Sequence, residues 1–130
     1  MQINFTPYSL TFRYPFKIAA GVRTNTPAVY VRLSHDGING YGEATLPPYL
    51  HETQQSVIAF IESFRKQFVF KNEIENNLNQ LHTHADGNYF AKAAIDIALH
   101  DWHSKAKDIS VNSFLEITSR TSSLLGVFLQ

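Results

Sequence analysis

The sequence contains no cysteine in its 130 residues, which excludes a disulfide framework and a thiolate-ligated metal site. It also carries no net charge: eleven basic residues cancel eleven acidic ones. A nucleic-acid binder needs a basic stripe to displace counterions, so that class of partner is not expected. No apolar run approaches the length of a membrane span, and the opening MQINFTPYSLTF lacks the basic start and unbroken apolar core of a signal peptide. Repeats, low-complexity tracts and linkers are also missing. The expectation is a cytoplasmic protein with neither nucleic-acid nor membrane partners. What is present is an ordinary globular composition, 44% apolar and 17% charged, which argues against disorder. Ten phenylalanines and six tyrosines imply an aromatic core, or an aromatic surface that a partner covers.

The patterning changes once, near Leu50. Before it the apolar period is two, and after it the period is helical. Ile3 and Phe5 alternate with polar neighbours, then Tyr8, Leu10 and Phe12 continue on the opposite phase. The slip at Thr6-Pro7 predicts a kink or bulge in an edge strand. Val29, Val31 and Leu33 predict a second strand, His35-Asp36-Gly37 a turn, and residues 38–44 the returning strand. Gly40 and Gly42 in that strand permit close backbone approach or a bulge. Three helices are predicted next. The first carries Val57, Phe60, Ile61, Phe64 and Phe68, with Glu52 at its positive end and Arg65 and Lys66 at its negative end. The second carries Ile74, Leu78 and Leu81 behind an Asn72–Glu75 capping pair. The third runs from Tyr89 to about Lys107 with Ala91, Ala94, Ile95, Ala98 and Trp102 on one face. Strands first and helices afterwards indicate an α+β fold, a three-stranded antiparallel meander followed by a helical bundle. The closing Leu124–Leu129 reads as an apolar strand with no ending, which suggests a truncated chain.

Several groups of residues carry potential chemistry. His82, His84 and Asp86 are a plausible ligand set for zinc or a similar ion, or simply the polar residues of a turn. Asp96, His100 and His103 project from neighbouring helical turns, either as an acid–base or metal face or as a local pair with a solvated histidine. Lys105 and Lys107 read as a solvated helix end. The stretch from Arg13 to Thr26, RYPFKIAAGVRTNT, reads as a loop joining two strands, and loops of about 12–15 residues are usually functional or mobile. Its Arg23 suits bidentate capture of a carboxylate, or else lies in water. Leu46-Pro47-Pro48-Tyr49-Leu50 is a second, stiff loop, in which Tyr49 lines a pocket or covers the core. No nucleophile–base pair, phosphate-binding glycine loop or carboxylate dyad accompanies them.

Three segments, PFKIAAGVRTNTP (Pro15–Pro27), GYGEATLPPYLHET (Gly40–Thr53) and AKAAIDIALHDWHSK (Ala91–Lys105), give the chain a family likeness. It resembles the N-terminal capping domain of the enolase superfamily, in the muconate-lactonizing subgroup, nearest to dipeptide epimerases of the L-Ala-D/L-Glu type. The likeness runs to about Lys105. It implies a domain, residues 1–118, folded over the open end of a (β/α) barrel, with residues 119–130 as a junction, a divergent tail or the first barrel strand. Substrate specificity would come from Ala19–Thr24 and Pro47–Leu50, with Ala20, Arg23, Thr24, Pro48, Tyr49 and Leu50 as substrate-binding residues and Arg23 meeting a substrate carboxylate. Glu43, Asp96 and Asp101 match motif positions that look structural.

The implied reaction is a 1,1-proton transfer alpha to a carboxylate, with Mg²⁺ stabilising the enediolate and lysines acting as acid and base. Those residues belong to barrel strands, and a barrel takes about 250 residues. The resemblance therefore assigns this chain no catalytic and no metal-binding residue, and makes it an isomerase component that is inactive alone. The partner it implies is a dipeptide shared with the barrel. After the third helix the family usually has Gly-x-Pro and a glycine-ended short helix, where this chain has Asp108-Ile109-Ser110 and Phe114-Leu115-Glu116. The alternative is a non-enzymatic orphan capping domain that self-associates as a homo-oligomer.

Overall fold

The computed structural model describes residues 1–18, 21–47 and 51–107, with side-chain surroundings left aside at Leu10, 12–18 and 21–24. The expected α+β order is observed: β1 (Gln2–Ile18), β2 (Gly21–His35), β3 (Ile38–Thr45), α1 (Gln54–Gln67), α2 (Ile74–Thr83) and α3 (Tyr89–Ala106). The sheet is antiparallel in the order β1-β2-β3. The β2–β3 turn places Asp36 at φ 51 and Gly37 at φ 73, the two left-handed positions of a tight hairpin that keeps the strand twist.

Two expectations about β1 are corrected. Its pairing with β2 runs unbroken through Thr6↔Tyr30 and Pro7↔Val29, so the proline interrupts no register. The change of buried face near residues 6–8 occurs on both strands together, which keeps the partners opposite each other. The irregularity lies instead between Thr11↔Asn25 and Phe16↔Arg23, where four residues of β1 face one of β2. Nor is the stretch from Arg13 to Thr26 a loop. Apart from residues 19 and 20 it is β-hairpin, closing at Ile18↔Gly21. Its side-chain pattern shows no regular alternation from which strands could be read.

The core lies between one face of the sheet and the helices, and includes Val29, Val31, Leu33, Ala44, Val57, Ile61, Phe64, Leu81, Ile95 and Leu99. α1 starts with a reciprocal cap, in which Thr53 Oγ1 accepts from Ser56 N–H and Ser56 Oγ accepts from Thr53 N–H. α2 starts at Glu73 with no side-chain cap, so the Asn72–Glu75 capping pair is not formed. Asn72 stands one place too early for its side chain to serve as the cap. Among the described residues no helix is long and apolar enough to cross a membrane.

The closest packing is between α3 and β3. Gly40, Gly42 and Ala44 form the buried face of β3, and Ala94, Ala98 and Trp102 stand above them at four-residue intervals on α3. A β-carbon on Gly42 would overlap the Ala94 carbonyl oxygen, and one on Gly40 would overlap the Ala98 carbonyl oxygen and lie 2.7 Å from Trp102 N. These obstacles are backbone, which cannot rotate away. Asp101 Oδ2 accepts from Tyr41 N–H at 2.9 Å, Lys105 Nζ donates to the Asn39 carbonyl at 2.9 Å, and Trp102 Nε1 donates to the carbonyls of His35 and Ile38. Lys105 is therefore not merely solvated, since it also pairs with Asp101 and lies over the Tyr41 ring.

Gly40→Ala and Gly42→Ala should each destabilise the domain by about 3 kcal/mol or more, the range of severe overpacking. Gly37→Asn should cost under about 1 kcal/mol, because asparagine tolerates φ +73 and nothing lies near that position. Urea unfolding of the three variants distinguishes these outcomes.

Candidate functional site

The strands that lead to the two segments singled out for substrate binding part at one end of the sheet. β3 stops pairing at Thr45↔Ala28, whereas the β1–β2 hairpin continues to Ile18↔Gly21 as an arm beyond it. Where they part, the Leu46 N–H donates to the Pro27 carbonyl at 2.9 Å and the buried Thr26 hydroxyl donates to the Leu46 carbonyl at 3.1 Å. Arg23 and Thr24 lie on this arm, Arg23 paired with Phe16 through the backbone. Ala20, Pro48, Tyr49 and Leu50 lie outside the described residues.

Beyond residue 50 the chain is fastened again. Glu52, expected to serve the dipole of α1, serves α3 instead: its carboxylate accepts from Phe90 N–H at 3.0 and 3.1 Å and from Ala91 N–H at 3.5 Å. The residue at the usual cap position, Asn88, is left-handed at φ 55 and donates to the Asp86 carbonyl, so a distant carboxylate meets the open N–H groups. Gln54 Nε2 donates to the carbonyls of Tyr8 at 2.8 Å and Ala28 at 2.9 Å. The Tyr8 hydroxyl donates to Glu43 Oε2, and Glu43 Oε1 accepts from Thr45 Oγ1 at 3.0 Å. A cavity of about 260 Å³ lies at this end, lined by Pro27, Leu46, Pro47 and residues 52–55.

The histidines form separate structural contacts rather than one metal centre. His82 Nε2 lies 2.8 Å from Asp96 Oδ2, while His84 contacts Ser63 and Gln67. His100 Nδ1 lies 3.0 Å from both Asp96 Oδ1 and the Asp96 carbonyl. Asp96 thus joins α2 to α3 in addition to its own helix, a cross-link the sequence reading did not anticipate. Among the described residues no three histidines or carboxylates come together to hold a metal ion.

Residues 2–115 match the family described as the mandelate racemase / muconate lactonizing enzyme N-terminal domain. The chain belongs to that family. It is thus an N-terminal domain of the enolase superfamily, as its motifs suggest. A curated relative, the L-Ala-D/L-Glu epimerase of Bacteroides thetaiotaomicron, is 42% identical over 102 residues, covering 78% of this chain and 27% of the relative. The muconate lactonizing enzyme from Pseudomonas fluorescens, complexed with muconolactone, matches with a TM-score of 0.78 and 27% identity over 93% of this chain and 34% of that one. The substrate-liganded L-Ala-D/L-Glu epimerase from Bacillus subtilis matches with a TM-score of 0.73 and 25% identity, over 82% of this chain and 31% of that one. This chain therefore spans about a third of the length of these relatives.

In this enolase-superfamily N-terminal domain the buried polar groups are organised by geometry that also fixes their charge. Asn77 Oδ1 accepts from Lys71 N–H at 2.8 Å and its Nδ2 donates to the Lys71 carbonyl at 2.9 Å, so the amide cannot flip. The same Nδ2 lies 3.1 Å from His103 Nε2, which must therefore accept and stay unprotonated. Burial, reinforced by the charges of Lys107 and His100 and opposed by Glu75, pushes the His103 pKa down to about 4. For Asp96 burial pushes upward, but hydrogen bonds from His100 and His82 and their nearby charge outweigh it and hold the carboxyl below its usual value.

These shifts separate two pH windows. Between pH 6.5 and about 4 the unfolded chain binds a proton at residue 103 that the folded domain refuses, so stability falls as pH falls through this range. The loss contributed by His103 should be on the order of 2–3 kcal/mol. The contribution of Asp96 is present above pH 3.8 and disappears only below it. His103→Gln keeps an acceptor for Asn77 and should flatten the upper window while leaving the acid limb, as read from urea midpoints across pH.

Proposed function

We propose that this domain covers the substrate site of a Mg²⁺-dependent dipeptide epimerase and sets its specificity, while a (β/α) barrel outside these 130 residues carries out the proton transfer. The observation that carries this reading is the shared root of the two segments. The hairpin arm bearing Arg23 and the end of β3 at Leu46 are joined by the Leu46–Pro27 and Thr26–Leu46 hydrogen bonds. Two segments fastened at one end of a rigid domain can face a common ligand, and binding residues are often carried on loops of that kind. The 42% identity with an L-Ala-D/L-Glu epimerase supports a dipeptide as the ligand class.

On this reading Arg23 binds a substrate carboxylate as a bidentate donor, Thr24 adds a hydroxyl beside it, and Ala20 leaves room for the ligand. Pro48, Tyr49 and Leu50 supply an apolar wall of low conformational freedom. Mg²⁺, when bound by barrel carboxylates, supplies electrostatic stabilisation of the charge that develops on the substrate carboxylate. The part played by this chain is to orient the dipeptide and exclude water above the reacting carbon.

When this domain replaces the corresponding part of the B. thetaiotaomicron epimerase, the folded chimera should interconvert L-Ala-L-Glu and L-Ala-D-Glu in the presence of Mg²⁺. The 130-residue chain by itself should show no such activity. Arg23→Ala in the chimera should raise KM roughly 10- to 100-fold, the value of a charged hydrogen-bond pair. A folded chimera that turns over no dipeptide, or an unchanged kcat/KM after Arg23→Ala, contradicts the corresponding part of this assignment.

A further inference from the structure

We propose that the outer face of the sheet carries a binding site for a small carboxylate, formed by Asn4, Thr6, Tyr30 and Arg32. On β2, Val29, Val31 and Leu33 are buried in the core, so Tyr30 and Arg32 between them point the other way. Asn4 and Thr6 of β1 are exposed on that same outward face. The register places Asn4 opposite Arg32 and Thr6 opposite Tyr30. Two neighbouring cross-strand pairs thus bring four polar side chains together. They line a cavity of about 140 Å³ on the side of the sheet away from the helices. The site depends neither on the barrel nor on the dipeptide reading.

This cavity differs from the others in the state of its polar groups. Between α1 and α2, Gln80, Thr83 and His84 line a cavity of about 230 Å³, and each is already bonded within the protein. In the cavity beside Pro27, Glu52 holds the start of α3 and Gln54 holds two strand carbonyls. Among the described residues, the side chains of Asn4, Thr6, Tyr30 and Arg32 have no hydrogen bond or ion pair. Glu43, opposite Tyr30 on β3, is taken by the hydroxyls of Tyr8 and Thr45. Lys105, over the neighbouring Tyr41 ring, is balanced by Asp101. Arg32 is left as the uncompensated charge beside the cavity.

The lining supplies a guanidinium fork, an amide NH₂ and two hydroxyls, and no carboxylate, a set suited to donating to an oxyanion. One guanidinium balances one negative charge and matches a planar carboxylate through two parallel N–H···O bonds. A dianion would lack a second cation. The volume is well below the roughly 300–1,000 Å³ of drug-sized pockets, which limits the ligand to a few non-hydrogen atoms. Free short-chain acids and the carboxylate at the end of a peptide chain both present this chemistry.

The test follows backbone amide NMR shifts of the 130-residue chain during titration with propionate at constant ionic strength, with propionamide as the uncharged match. Propionate should bind saturably with Kd on the order of 1–10 mM, moving Asn4, Thr6, Tyr30 and Arg32 while Leu81 and Ile95 stay in place. Propionamide should move none of them. Arg32→Gln should weaken binding by about tenfold or more, and Arg32→Lys by about three- to fivefold because the fork is lost. Residue 32 is exposed, so Tm should stay within about 2 °C in both variants. The propionamide comparison needs no substitution and stands whatever the variants do. Acetylglycylglycine distinguishes the sources: tighter binding than propionate assigns the carboxylate to a chain end, weaker binding to a free acid, and either supports the site. Shifts that grow without saturating show an adventitious ion only and overturn the inference. So do equal shifts with propionamide, an unchanged Kd in Arg32→Gln, or tighter binding of inorganic phosphate than of propionate.

Discussion

The approach of α3 to β3 is closer than side chains ordinarily allow, and the rest of the domain is arranged around it. Gly40 and Gly42 remove two side chains from the strand, and Ala94 and Ala98 keep the facing helix surface small. With helix backbone resting on strand backbone, the register between the two is set by hard contact rather than by adaptable side chains. Trp102 then reaches the β2–β3 turn, where its indole N–H bridges the carbonyls on either side, and Phe70 and His103 meet its ring edge-on. At the other end of the helix the first N–H groups come within reach of Glu52. One rigid contact therefore fixes both ends of α3, and one of those ends carries an attachment of the candidate site.

Hydrogen bonds fasten the end of β3 to β2 at Leu46, Pro27 and Thr26, and the domain carries no assembled reaction centre of its own among the described residues. Its buried polar groups are mostly engaged in cross-links: Asp96 between two histidines, Asn77 between a loop and α3, and Glu43 between two strands. Such networks favour one arrangement of elements over others, because a shifted element would leave buried polar atoms without partners. For a part whose proposed task is to hold two segments over a ligand, a single arrangement matters more than added stability.

The order of elements, the meander and the Gly-x-Gly strand were legible in the sequence because each leaves a periodic or compositional trace. So was the family, through motifs that follow one another in the expected order. Other features left no such trace. Glu52 precedes α1 by two residues and looked like its partner, yet it binds a helix that begins almost forty residues later. Asn77 sits in a polar run and looks solvated, but it is fully buried because its amide matches the Lys71 backbone. Of the candidate site, Arg23, Thr24 and the 48–50 segment were legible as motif positions. Thr26, Glu52 and Gln54 were not, since a side chain that fastens a distant stretch of backbone is recognised only by the group it meets.

The pair Asp101 and Lys105 has a consequence for encounters between chains. β3 is an outer strand, and the groups these side chains bind, the N–H of Tyr41 and the carbonyl of Asn39, are among those a foreign strand would use to add itself to the sheet. Lys105 also stands over Tyr41, placing a charge where an incoming apolar strand would lie. The helix that closes the core therefore also makes this border of the sheet a poor template for another copy, in a crowded cell or while the chain is still being made.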